Sequence, residues 1–207
     1  MLKFASLLVL SAGFSLASTV FTLDQNGCTP GCGTPPFATV TLTDNGTGAS
    51  AYVSVTETLL ATNERFAGGG AGDALEFNVV GPISITALTA GFAIGPAPDS
   101  ASTFGPFLES VTCSTCTGGQ STNPAGPLSF NVSSTTGVTT ASFVGNNYHN
   151  GDYFFASDIV GNNGKTGNVA ALGGGTITGG SVPEPLSMFL MGAGLLGIGV
   201  LRKFRRA

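Results

Sequence analysis

Tryptophan is absent from the 207 residues, charged side chains make up only 9 %, and histidine occurs once, as His149. Each scarcity removes a class of function. Without Trp, sugar recognition by ring stacking is left to Tyr52, Tyr148 and Tyr153. Between Ser18 and Ser181 the only basic residues are Arg65 and Lys165, against ten acids, a net of −8. The whole-chain figure of −4 conceals this bias, because Arg202, Lys203, Arg205 and Arg206 crowd the last six positions. Nucleic acid is excluded as a partner, since the domain has no basic patch to displace counterions.

A single histidine also limits catalysis. A Ser-His-Asp site would have to use His149 with Asp152 or Asp158, and no G-x-S-x-G elbow is present. In Asn146–Gly151 the histidine reads as an exposed turn residue. Gly164-Lys165-Thr166 is no phosphate loop, because Ile159 stands where that motif needs glycine. A glycosidase pair would come from Glu57, Glu64, Glu76 and Glu109. Glu57 and Glu76 are expected on polar strand faces, as solvated charges. The chain is therefore expected not to be an enzyme. No resident metal or other cofactor is expected beyond structural calcium. The oxygen-rich turns Asp24–Gly27 and Asp44–Gly46 are its candidates, although neither matches a twelve-residue calcium loop.

What is abundant is period-two alternation. Val40 and Leu42 alternate with Thr39, Thr41 and Thr43; Val53 and Val55 with Ser54 and Thr56. Leu75, Phe77 and Val79 alternate with Glu76 and Asn78, and Leu128, Phe130 and Val132 with Ser129, Asn131 and Ser133. These are half-buried antiparallel strands, apolar inward and hydroxyl outward. Asp44-Asn45-Gly46, Gly68-Gly69-Gly70 and Asn123-Pro124 supply turns. Residues 152–169 read as a hairpin, and 95–126 as a long loop. The pattern predicts an all-β antiparallel sandwich or jelly-roll-like ectodomain. Thr39, Thr41 and Thr43 make one short threonine row, of interest for a polysaccharide- or ice-binding face.

Four cysteines lie in two close pairs, Cys28/Cys32 and Cys113/Cys116. An even count suits an oxidising compartment, and three pairings are possible. Local pairing is the expected one, because Cys28-Thr-Pro-Gly-Cys32 turns back on itself. A four-thiolate zinc site is the alternative.

Both termini carry addresses. Residues 1–17 have a positive charge at Lys3, an apolar run and small residues at Ser15 and Ala17, which is a signal helix for the Sec translocon and signal peptidase. Cleavage is expected after Ala17, leaving an ectodomain of 18–171 and a glycine-rich stalk of 172–181. Residues 182–207 then hold Pro183-Glu184-Pro185, an uncharged apolar stretch 186–201, and the basic tail 202–207. As a helix the stretch reaches roughly 24 Å at about 1.5 Å per residue, close to a hydrocarbon core once basic stems snorkel. The basic cluster Arg202, Lys203, Arg205 and Arg206 acts as a membrane stop and keeps that end cytoplasmic.

Pro-Glu-Pro, a glycine-punctuated membrane helix and an arginine-rich stub, in that order, resemble the PEP-CTERM sorting signal, also labelled the ice-binding protein C-terminal domain. The resemblance covers about the last 25 residues. It implies an exosortase partner that reads Pro183, Glu184 and Pro185, an inner-membrane precursor, and transfer to the outer surface or extracellular matrix, in hosts that often make exopolysaccharide. The expected function is that of a non-enzymatic surface or matrix protein. Alternatives are a polysaccharide- or ice-binding module and, third, an extracellular hydrolase.

Overall fold

The computed structural model describes residues 18–68, 72–118 and 121–178. The expectations for 1–17 and 182–207 lie outside the described residues. Among the described residues fifteen strands occur in chain order. They begin with β1 (Ser18–Leu23), β2 (Gln25–Asn26), β3 (Ala38–Asn45), β4 (Tyr52–Leu59) and β5 (Arg65–Phe66). Next come β6 (Leu75–Phe77), β7 (Ser84–Thr86), β8 (Phe92–Ile94), β9 (Asp99–Ser100) and β10 (Pro106–Phe107). The last are β11 (Glu109–Cys113), β12 (Leu128–Ser133), β13 (Tyr153–Val160), β14 (Thr166–Leu172) and β15 (Thr176–Thr178). Among the described residues no helix is long and apolar enough to cross a membrane.

All pairings are antiparallel. The first sheet has the order β15-β1-β3-β4-β12-β7. The second runs β2-β14-β13-β6-β11-β8, with β5 beside β13. Alternation does what the pleat requires: Val40, Leu42, Val53, Val55, Phe130 and Val132 are buried on one face of the first sheet. They share one core cluster with Leu75, Phe77, Val111, Phe155, Ile159 and Val169 of the second sheet. Phe77 sits among rings from both sheets, 5.6 Å from Phe130 and 6.3 Å from Phe155 between centroids.

Three expectations need correction. The region 95–126 is not one loop: it contributes β11 to the second sheet and a small ribbon of β9 with β10. The stalk expected from 172 begins with the last residue of β14, and β15 pairs with β1, so the domain runs through Thr178. Glu57 and Glu76 are not solvated: their exposures are 0 % and 1 %.

Both cysteine pairs close locally, Cys28 with Cys32 and Cys113 with Cys116, and no described cysteine is free for zinc. The loop after the second pair is held by buried Asn123, whose Oδ1 accepts from Thr117 N (3.1 Å). Its Nδ2 donates to the Phe66 and Gly118 carbonyls at 2.9 and 2.8 Å. Asn123→Ala should cost about 2–3 kcal/mol, because it orphans buried backbone groups. A fall in the urea midpoint with both disulfides intact would show it.

Candidate functional site

The second sheet is buried on both faces. Along β13, Phe155, Ser157 and Ile159 alternate with Ala156 and Asp158, and all five are buried. The outer side is covered by residues 95–107, where Ala101, Phe104 and Phe107 pack with Ala156, Ala170 and Tyr153 into a second, small cluster. Under this flap lies a group of acids drawn from distant parts of the chain. Glu76 comes from β6, Asp158 from β13, Asp99 from β9, and Asp73 from the turn before β6.

The hydrogen bonds in this group are few. Glu76 Oε1 accepts from the Asp73 amide at 2.9 Å, while Glu76 Oε2 and Asp158 Oδ1 are buried without a donor. Ser110 on β11 places its hydroxyl 2.5 Å from Asp73 Oδ2 and 2.7 Å from the Pro96 carbonyl. One hydroxyl has one proton to give. If it goes to Pro96, a proton on Asp73 completes the other contact. Gly72 and Gly95 make the crowding possible: a Cβ at Gly72 would press on Glu76 and Asn168, and one at Gly95 on Asp73 and Ser110.

Burial dominates the electrostatics. It pushes Glu76 up to about 8, with the nearby charges of Asp99, Asp73 and Asp158 adding to the effect. It pushes Asp158 up to about 7, again with Asp73 contributing. Asp73 rises for the same reason, partly offset by the hydroxyls of Ser110 and Thr112. No Lys, Arg or His is among the groups that bear on these carboxyls.

Glu57 is a separate case, on the inward face of β4 between Val40 and Leu128 of the neighbouring strands. Neither carboxyl oxygen has a hydrogen-bond partner. Ser157 is its polar neighbour, but that hydroxyl donates to the Ala74 carbonyl at 2.7 Å. Burial pushes Glu57 up to about 8, with Ser157 opposing it.

The other expected site residues scatter. His149 is exposed, with a left-handed backbone (φ 47), and its ring lies 4.0 Å from that of Tyr148. Glu64 is buried and caps its own turn, accepting from the Ala61 amide at 2.9 Å, and Glu109 is half-buried on β11. Tyr52 stands on β4, whereas Tyr153 packs on Phe104, so the three tyrosines form no common platform. The calcium turns have their oxygens engaged. Asp44 accepts from both the amide and the hydroxyl of Thr140, Asn26 Oδ1 accepts from the Cys28 and Cys32 amides, and Asp24 Oδ1 from Gln25. Among the described residues no three His, Cys, Asp or Glu side chains converge as a metal site.

The outer face of the first sheet is dominated by hydroxyls, with Val20 of β1 beside Thr41. Register places Thr22, Thr39 and Thr58 in one row, Thr41, Thr56 and Ser129 in a second, and Thr43, Ser54, Asn131 and Thr86 in a third. The row read from β3 alone is thus one column of a two-dimensional array. Its members bond to one another: Asn45 Nδ2 donates to Ser54, Ser54 to Asn131 Oδ1, and the Thr56 and Ser129 hydroxyls meet at 3.0 Å. No Asp, Glu, Lys, Arg or His stands in these rows.

Fold and site together describe an all-β, disulfide-bonded domain with a weakly charged hydroxyl surface. A family model for the PEP-CTERM protein-sorting motif matches residues 181–206, so the chain carries that motif. The motif implies an exported, membrane-anchored precursor and processing by an exosortase. No curated protein and no solved structure matches the chain.

Proposed function

We propose that this is a non-enzymatic surface or matrix protein: a disulfide-bonded β-sandwich exported through a signal peptide and handed to an exosortase at Pro183-Glu184-Pro185. The sorting motif at 181–206 carries the reading. The two sheets around one core support the sandwich. A hydrolase is disfavoured even though acids meet under the flap. A glycosidase pair must reach a sugar in an open cleft, whereas Glu76 and Asp158 are 1 % and 2 % exposed beneath the flap.

A second reading is favoured by the hydroxyl array, which suits a neutral polysaccharide lying across the strands. Hydroxyls and amides can bond sugar hydroxyls, and the absence of charge from these rows removes any attraction for an acidic polymer. Binding to an insoluble neutral glucan, abolished by Thr56→Asp, would support that reading; retention equal to the variant's would remove it.

Intact mass and cell fractionation in the native host test the main proposal. The expected mature species begins at Ser18 and ends near Pro183–Pro185, at the outer surface or in the matrix. Replacing Pro183, Glu184 and Pro185 together by alanine should leave a species that keeps Arg205 and Arg206 in the inner membrane. A wild-type protein that keeps them there would overturn the sorting role.

A further inference from the structure

We propose that residues 95–107 form a proton-held flap, closed while Asp73, Glu76 and Asp158 share protons and lifted when these carboxyls ionise. The argument starts from position. Four carboxyls from four separate elements face one space, and their remaining polar neighbours, Ser110 and Thr112 on β11 and Asn168 on β14, are neutral. Among the described residues no cation bears on them, and two of their oxygens are buried with no donor. Like charges packed this way cannot all ionise without water, so the closed form must hold protons. The Ser110 hydroxyl, poised between Asp73 Oδ2 and the Pro96 carbonyl, fits a protonated Asp73. Burial and mutual repulsion raise Asp73, Glu76 and Asp158 together, which moves the release up from the acid range, with Asp158 at about 7 and Glu76 at about 8.

The flap is also lightly fastened. At one end the Gly95 amide donates to the Ser110 carbonyl. At the other, Asn146 Nδ2 donates to the Phe104 and Pro106 carbonyls, at 2.7 and 3.3 Å. Gly105 (φ +91) lies against Tyr148 so closely that a Cβ would overlap the ring. This latch stands on a loop with left-handed Asn147, His149 and Asn150, a conformation that costs backbone energy. The apolar hold is the small cluster around Phe104 and Phe107, distinct from the main core. Lifting the flap would hydrate the acids and leave the core between the sheets intact.

Amide hydrogen exchange on the full-length protein in detergent micelles tests this. Peptides spanning 95–107, corrected for intrinsic rate, should exchange at least about tenfold faster at about pH 9 than at about pH 6, while β3 and β4 stay protected at both. Glu76→Gln with Asp158→Asn should keep the flap protected at the higher pH. Should that double variant fail to fold, Glu76→Gln alone should leave the flap more protected at the higher pH than in the wild type. Exchange in 95–107 that ignores pH, or a folded variant that opens as the wild type does, overturns the proposal. Loss of protection in β3 and β4 together with the flap also overturns it, because that is global unfolding.

Discussion

Glu57→Met should stabilise the domain by about 3 kcal/mol at pH 7, rising to about 4–5 kcal/mol above pH 8. The native state keeps a proton on this carboxyl up to about pH 8, against 4.5 for the ordinary group. A folded value raised in this way makes the protonated native state strongest at low pH. Its contribution is complete below about 4.5 and is lost as pH rises to about 8. Above that window the native state holds an unpaired charge in an apolar core. Methionine has similar bulk and no charge, so it removes the pH-dependent penalty while filling the space between Val40 and Leu128. Urea unfolding of both proteins at about pH 4.5 and pH 8 separates the causes. A gain confined to the higher pH is expected. An equal gain at both would assign the benefit to packing and not to the carboxyl.

Phe77→Ala should cost about 3–5 kcal/mol, a large share of the stability of any single domain. Its ring is fully buried and meets Phe130 of the first sheet, Phe155 of the second, and Phe143 at 5.8 Å. Removing it opens a void at the meeting point of the sheets, where rigid strands on either side resist collapse. Phe107→Ala is the comparison. That ring is equally buried but belongs to the flap cluster. It should lower the global urea midpoint much less while raising exchange in 95–107. Equal losses at the two positions would mean that the flap cluster and main core unfold as one unit.

The strands were legible wherever one face met water, because hydroxyls at alternate positions mark the pleat, as in Thr39–Thr43 and Ser129–Ser133. The same parity carries further than composition suggests. Glu57 shares its phase with Val53 and Val55, so it points inward, although its charge argues for solvent. Glu76 does lie opposite Leu75 and Phe77, but the flap covers that face too. A signal for the cover exists in Tyr153–Val160, which apart from Asp158 is apolar or small in both phases, as a strand buried on both sides must be. The glycine, proline and serine content of 95–126 conceals β11, whose pairing with β6 and β8 comes from other parts of the chain. The meeting of residues 73, 76, 99 and 158 is likewise tertiary, with no fixed spacing to announce it. The close disulfides were legible because a three- or four-residue separation lets each pair close within its own turn.

Lys165 lies in the exposed turn between β13 and β14 and is the only lysine between Ser18 and Thr178. Arg65, the other basic residue there, donates from its guanidinium to the Thr62 and Glu64 carbonyls and precedes the fully buried Phe66. Trypsin-like enzymes therefore meet one accessible bond in the folded domain, at a hairpin tip whose severed ends stay joined through paired strands. Amine-reactive reagents meet one side-chain target within the folded domain at that same tip, so a label on that lysine would report from one known place.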